Sequence, residues 1–279
     1  MDKAITLEGD DRPDSLVFDL EDSIDPEYKD EARKNLEKRL APGSPYRREL
    51  DSRYPVTIVR VNHEGTPWFE RDMKSVARIK PDAVMLAKVG DSHEIERVRD
   101  FLKSEKCTQQ LIAPIETVAG FKKRESILDA LTSQDLFLIG YEDLSGELNI
   151  DRPEDLESAN PITHMLMESL IEAQQRKIVM WDAVSRKFTT EENLRMLAKE
   201  CYFARRIGLQ GKIAIHPSQV GTINRKFNKN DLVQRARDTI ARFRKKIDGT
   251  WVIKNEQGEM EDTPSLNRAL RTLEFWERI

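Results

Sequence analysis

Glu116 and Asp143 stand 27 residues apart, each at the polar end of a short apolar run: 110-QLIAPIET-117 and 136-LFLIGYED-143. That spacing is about one strand–helix unit. In a parallel sheet it places both acids on neighbouring strand ends facing one mouth. Two carboxylates with water completing the shell suit Mg2+. No Cys/His cluster has zinc spacing, which disfavours a softer metal. The competing reading is that each acid caps the helix that follows it. Arg60 ends another apolar run, 55-PVTIVRVN-62, where a guanidinium needs an anionic partner. That partner is a substrate carboxylate held bidentately, negative charge developing on an enolate oxygen, or a structural ion pair with Asp19, Glu21 or Glu116. Composition does not choose among them.

Asp19, Glu21 and Asp22 crowd the end of 15-SLVFDLED-22. Alternation puts Asp19 and Glu21 on one face. The cluster repels itself without a cation, so it anchors Arg60 and Lys88 or holds metal-bound waters. Lys88, at the end of 83-AVMLAKV-89, is read as neutralising these acids. A Schiff-base role needs a lowered lysine pKa, and acids raise it. His216, in 212-KIAIHPSQ-219, also ends a run; it is read as structural or pocket-lining.

These runs, with 177-KIVMWDA-183, make seven β-branched or apolar stretches beginning near 15, 55, 83, 110, 136, 177 and 212. An apolar body with a polar tip, repeated, is how a parallel barrel presents a site. Between them the spacing predicts helices over 91–104 (Ile95, Val98, Phe101 and Leu102 on one face), 161–176, and 191–207, which stops at Gly208. The expected fold is an α/β TIM (β/α)8-type barrel over 1–225. Its first strand is missing or atypical: residues 1–14 read as the tail of a first helix whose strand is absent from this chain. Residues 226–279 form a C-terminal helix and lid extension. It comprises a helix over 229–246, a turn at Gln257-Gly258 and a last helix over 265–277, and it packs on the barrel or on a neighbouring subunit.

The 279 residues are 38% hydrophobic and 34% charged, with a net charge of −4. That balance argues against a general nucleic-acid binder. Two cysteines, Cys107 and Cys201, make no disulfide framework and fit a reducing compartment. With no apolar run near a membrane-span length and no signal-like start, the expected location is cytoplasmic.

Six segments in order, FDLEDSIDPEYKDEAR (18–33), VRVN (59–62), PIETVAGF (114–121), GYEDL (140–144), WDAV (181–184) and GKIAIHPSQV (211–220), resemble the HpcH/HpaI aldolase and citrate lyase beta-subunit superfamily. Within it they are most similar to the malyl-CoA and citramalyl-CoA lyase branch. The resemblance implies Mg2+ on Glu116 and Asp143, and Arg60 on the keto acid or its hydroxyacyl precursor. It also implies a homo-oligomer, trimer or hexamer. GEMEDTP (258–264) is similar to the segment carrying a catalytic aspartate that reaches an adjacent subunit's site, which makes Asp262 the catalytic candidate. Two features differ from the family pattern. An Arg-Ser-x-Leu strand with a Pro-Gly turn, part of the CoA site, does not occur before Asp14, and the usual Pro-Lys is Ala87-Lys88.

The expected activity is therefore cleavage of a β-hydroxyacyl thioester to a 2-keto acid and an acyl-CoA thioester. One alternative is a citrate lyase beta-type subunit acting on an acyl-carrier-protein thioester. The tail counts against it, since such subunits are expected to lack that extension. The other is a non-catalytic barrel scaffold.

Overall fold

The computed structural model describes residues 7–41, 44, 55–153, 158–244, 252–255 and 258–276. They fall into two compact units, Met1–Lys226 and Phe227–Ile279.

In the first unit, seven strands form one parallel sheet: β1 (Ser15–Asp19), β2 (Val56–Arg60), β3 (Ala83–Met85), β4 (Gln110–Ile115), β5 (Leu136–Ile139), β6 (Val179–Asp182) and β7 (Gly211–Lys212). Their spatial order is their sequence order. Each strand begins within two residues of its apolar run, because a strand buried on both faces needs a continuous apolar body. Strand tips are shorter than the runs. β3 stops at Met85 and β7 at Lys212, so Lys88 and His216 lie in the loops beyond rather than on strand ends. The seven expected strands form a curled, barrel-like sheet, consistent with the expected barrel type with its first strand missing, but the sheet is not closed. Among the described residues β1 pairs only with β2, and β7 only with β6. The outer layer nonetheless continues past the open edge. The turn Gly9–Asp11 packs on the helix Pro217–Lys226, where Asn224 Nδ2 donates to the Asp10 and Arg12 carbonyls at 2.7 and 2.8 Å.

One face of β2 to β6 packs in the sheet's hollow: Ile58, Ala83, Met85, Ile112 and Leu138, with Trp181 and, just past β7, Ile213. The other face, including Val59, Val84, Leu111 and Phe137, is fully buried. The intervening helices carry the expected caps. Asp91 accepts from His93 and Glu94 N–H to start Ser92–Ser104. Glu191–Ile207 ends at Gly208, whose φ of +113° suits a residue without a Cβ.

The second unit contains the helix Lys229–Arg244, the antiparallel pair Ile253–Lys254 and Met260–Glu261, and the helix Thr263–Trp276. The expected turn falls partly on Gln257, outside the described residues; Gly258 has φ +82°. Ala236 and Ile240 pack on Ala269, joining the two helices.

Candidate active site

Register explains the first pair. Asp19 and Arg60 are direct partners on β1 and β2, so both side chains leave the sheet on one face. Arg60 Nε and Nη2 each donate to Asp19 at 2.7 Å, a bidentate fork. Its Nη1 lies 3.1 Å from Glu21 Oε2. Of the partners considered for Arg60, the structure shows the ion pair with Asp19 and Glu21. Asp19 is further pinned by the N–H groups of Glu21 and Ser23. Burial works against its ionisation, but the hydrogen bonds and charge of Arg60 outweigh it and hold the carboxyl at about 2. Glu21 moves the other way: burial raises it, against the attraction of Arg60.

Lys88 lies three residues past β3 with φ +52°, a left-handed conformation uncommon for a residue with a side chain. In that pose its N–H donates to Glu116 Oε2 at 3.1 Å. Its ammonium stands 3.3 Å from Glu21 Oε1, 3.3 Å from Asp22 Oδ2 and 3.5 Å from Asp143 Oδ2. Lys88 thus faces three of the acids with its ammonium and a fourth with its backbone. These acids raise the Lys88 pKa against a burial effect that would lower it.

Glu116 follows β4 directly. Burial and the neighbouring Asp143 charge push its carboxyl up to about 7, against the attraction of Arg60. Gly140, at the end of β5, makes room for it: a Cβ there would lie 2.5 Å from Glu116 Cγ. Asp143 is not a strand tip. It sits in the first turn of the helix Tyr141–Glu147, where the helix dipole favours a carboxylate. Both acids meet Lys88, Glu116 at its N–H and Asp143 at its ammonium. Among the described residues no cage of three or more ligands stands preformed.

Asp262 belongs to the second unit. Its Oδ1 accepts from the N–H and Oγ–H of Ser265, both at 3.2 Å, at the start of the last helix. His216 stacks on Phe188 with ring centroids 5.1 Å apart and meets Ser218 Oγ at 2.9 Å.

Sequence reasoning missed the support behind the mouth. Lys29 Nζ, buried, donates to the Leu20 and Glu21 carbonyls and to Asn62 Oδ1 at 2.7–2.9 Å. Asn62 in turn donates to Asp72, which also receives Arg33. This chain fixes the loop that carries Glu21 and Asp22. Asn62 was visible in VRVN, but Lys29, Arg33 and Asp72 look like ordinary surface charges in helical sequence.

The chain matches the family described as HpcH/HpaI aldolase/citrate lyase over residues 6–217. It is 30% identical to a (3S)-malyl-CoA thioesterase of Cereibacter sphaeroides over 82% of this chain and 75% of that one. It is 27% identical to the citrate lyase subunit beta of Haemophilus influenzae over 94% and 89%. A structure of CitE from Mycobacterium tuberculosis, in complex with magnesium, acetoacetate and coenzyme A, superposes with a TM-score of 0.71 at 24% identity, covering 94% of this chain and 89% of that one. RipC from Yersinia pestis superposes at 0.63, with 22% identity over 77% and 89%.

Proposed function

Because the chain belongs to the HpcH/HpaI aldolase/citrate lyase family, a family of enzymes, we propose that it is a Mg2+-dependent carbon–carbon lyase. It splits the bond between the α and β carbons of a β-hydroxyacyl thioester of malyl-CoA or citramalyl-CoA type, releasing a 2-keto acid and an acyl thioester. In reverse it forms that bond.

The observation that carries the reading is the charge imbalance at the mouth. Asp19, Glu21, Asp22, Glu116 and Asp143 supply five carboxylates against two cations, Arg60 and Lys88. Burial first, and the neighbouring Asp143 charge after it, raise the Glu116 pKa. A hard divalent cation relieves the imbalance, and Mg2+ is commonly held by one or two carboxylates with waters. Glu116 and Asp143 are the residues that would hold it, and when bound the ion would supply a positive centre for the oxygens of the 2-hydroxy acid.

The chain's own residues do the rest. Asp19 holds the Arg60 fork in one orientation. Two of the five guanidinium N–H groups donate to Asp19 and Nη1 faces Glu21 at 3.1 Å, and the remaining N–H groups would serve a substrate carboxylate or a developing enolate oxygen. A base must remove the β-hydroxyl proton. As the O–H electrons form the new carbonyl, the Cα–Cβ bond breaks and its electrons pass to the thioester enolate, which is then protonated. The candidate base is Asp262 of the partner subunit, carried by the likeness of GEMEDTP to the family segment. The assembly is accordingly a homo-oligomer.

Two other readings use the same mouth. The Cereibacter relatives carry the name thioesterase, which favours water attacking the thioester carbonyl with loss of the thiolate. The beta-subunit relatives match along up to 94% of this chain, so the tail is no argument against an acyl-carrier-protein thioester. The scaffold alternative, motivated by the missing first strand, ranks last because the chain keeps Arg60, Glu116 and Asp143 together and belongs to a family of enzymes.

Product analysis separates these outcomes. With Mg2+, malyl-CoA or citramalyl-CoA should give glyoxylate or pyruvate together with acetyl-CoA, and Glu116→Ala and Asp143→Ala should each abolish the release. Free CoA with intact hydroxy acid would replace the lyase reading with hydrolysis. Unchanged rates in both variants would end the metal-site reading.

A further inference from the structure

Lys88 addresses four of the five carboxylates at once, Glu116 through its N–H and Glu21, Asp22 and Asp143 through its ammonium. No other described residue does this. The Arg60 fork, by contrast, is locked on Asp19 and Glu21. Lys88 stands on a loop rather than a strand, and its side chain is 32% exposed beside an Asp143 that is 42% exposed. At 3.5 Å that contact is the longest of its three and is part-exposed, hence readily given up. The backbone N–H on Glu116 and the ammonium on Asp143 bracket the space between the two proposed metal ligands.

We propose that Lys88 is a resident counter-cation that competes with the divalent ion. It holds the carboxylates together before the ion enters, releases Asp143 when it arrives, and so sets the ion's affinity. This rests on the Mg2+ reading above and adds a residue outside the ligand set. The physical basis is that an ammonium within a few ångström of a divalent ion repels it, and that its pairing with Asp143 has to be broken on entry. Affinity is thereby kept low, so that ion and substrate bind together rather than the ion binding permanently.

The test is calorimetric titration of the full-length protein with MgCl2 and with MnCl2 at fixed pH and ionic strength. Lys88→Met keeps the length of the side chain and the backbone N–H on Glu116 but removes the charge. It should bind either ion on the order of tenfold more tightly than the unsubstituted protein. Lys88→Arg, which keeps the charge, should stay within about twofold. A second readout is the melting temperature in EDTA. Lys88→Met should melt lower than the unsubstituted protein there and recover more on adding Mg2+. Lys88→Gln supplies a second neutral side chain if the Met variant fails to fold. If the unsubstituted protein binds Mg2+ and neither neutral variant binds more tightly, the Lys88 proposal is overturned while the metal site stands. If no form binds either ion, both fall together.

Discussion

On one side of the sheet Asp182 and Lys212 meet in a sealed pair; on the other, Lys88 faces Glu21, Asp22 and Asp143 across a half-open mouth. Both constellations grow from the carboxyl ends of strands, and both begin with an acid and a base in direct register: Asp182 with Lys212, and Asp19 with Arg60. The resemblance ends there. Asp182 receives Lys212 Nζ at 2.6 Å and Tyr141 Oη at 2.6 Å, and Lys212 also donates to the Ala183 carbonyl at 2.9 Å. Neither side chain of the pair is more than 2% exposed. By strand alternation this cluster turns to the helical layer, since neighbouring Trp181 fills the hollow. It is balanced and dry, as a buried ion pair must be to survive. The Lys88 mouth is hydrated and carries surplus negative charge. An acid beside a lysine thus means opposite things in the two places, and exposure with charge balance separates brace from site.

The largest expected effect is on turnover. Glu116→Ala or Asp143→Ala should cost roughly 10³-fold or more, about 4 kcal/mol of barrier, without loss of melting temperature. Asp182→Ala should do the reverse. Stripping Lys212 and Tyr141 of their buried acceptor should destabilise the fold by about 3–4 kcal/mol in denaturant titration, while Mg2+ affinity in the folded fraction is unchanged. If Asp182→Ala instead abolished ion binding with full stability, the division between brace and site would be wrong.

Smaller effects follow from the two shifted carboxyls. Glu116 sits at about 7 in the fold against 4.5 as its ordinary value. The folded chain therefore holds that proton more tightly, and the stability it lends is lost as pH rises from 4.5 through 7. In EDTA at pH 8, Glu116→Gln should raise stability by on the order of 2 kcal/mol, and at pH 4 by little. Asp19 is held at about 2 against 3.8, so its contribution is present above 3.8 and fades as pH falls toward 2. Asp19→Asn should be roughly 1–2 kcal/mol less stable at pH 6, and the two proteins should converge in acid unfolding curves near pH 2.

Much of the mouth was legible because strand tips follow from apolar runs. Asp19, Arg60 and Glu116 end or directly follow their strands, whereas Glu21 and Asp22 lie past β1, beyond the reach of strand alternation. The sheet's order was legible for the same reason. Asp143 was harder to place. The run LFLIGYED hides the strand's end at Ile139 and the helix beginning at Tyr141, because Gly140 breaks the pattern only by being small enough to pass Glu116. The reach of Lys88 depends on a left-handed backbone that no propensity favours for lysine, so local sequence could suggest its charge but not its four contacts. Of the Lys29–Asn62–Asp72–Arg33 chain only Asn62 stood out, because Lys29 and Arg33 lie on a helix with many other charges, and only packing decides which are buried.

Anomalous diffraction from crystals soaked in Mn2+ tests the central claim most directly. The account predicts one peak about 2 Å from carboxylate oxygens of both Glu116 and Asp143, with the Lys88 ammonium withdrawn from Asp143. A peak elsewhere, or none at the mouth under saturating Mn2+, would contradict it.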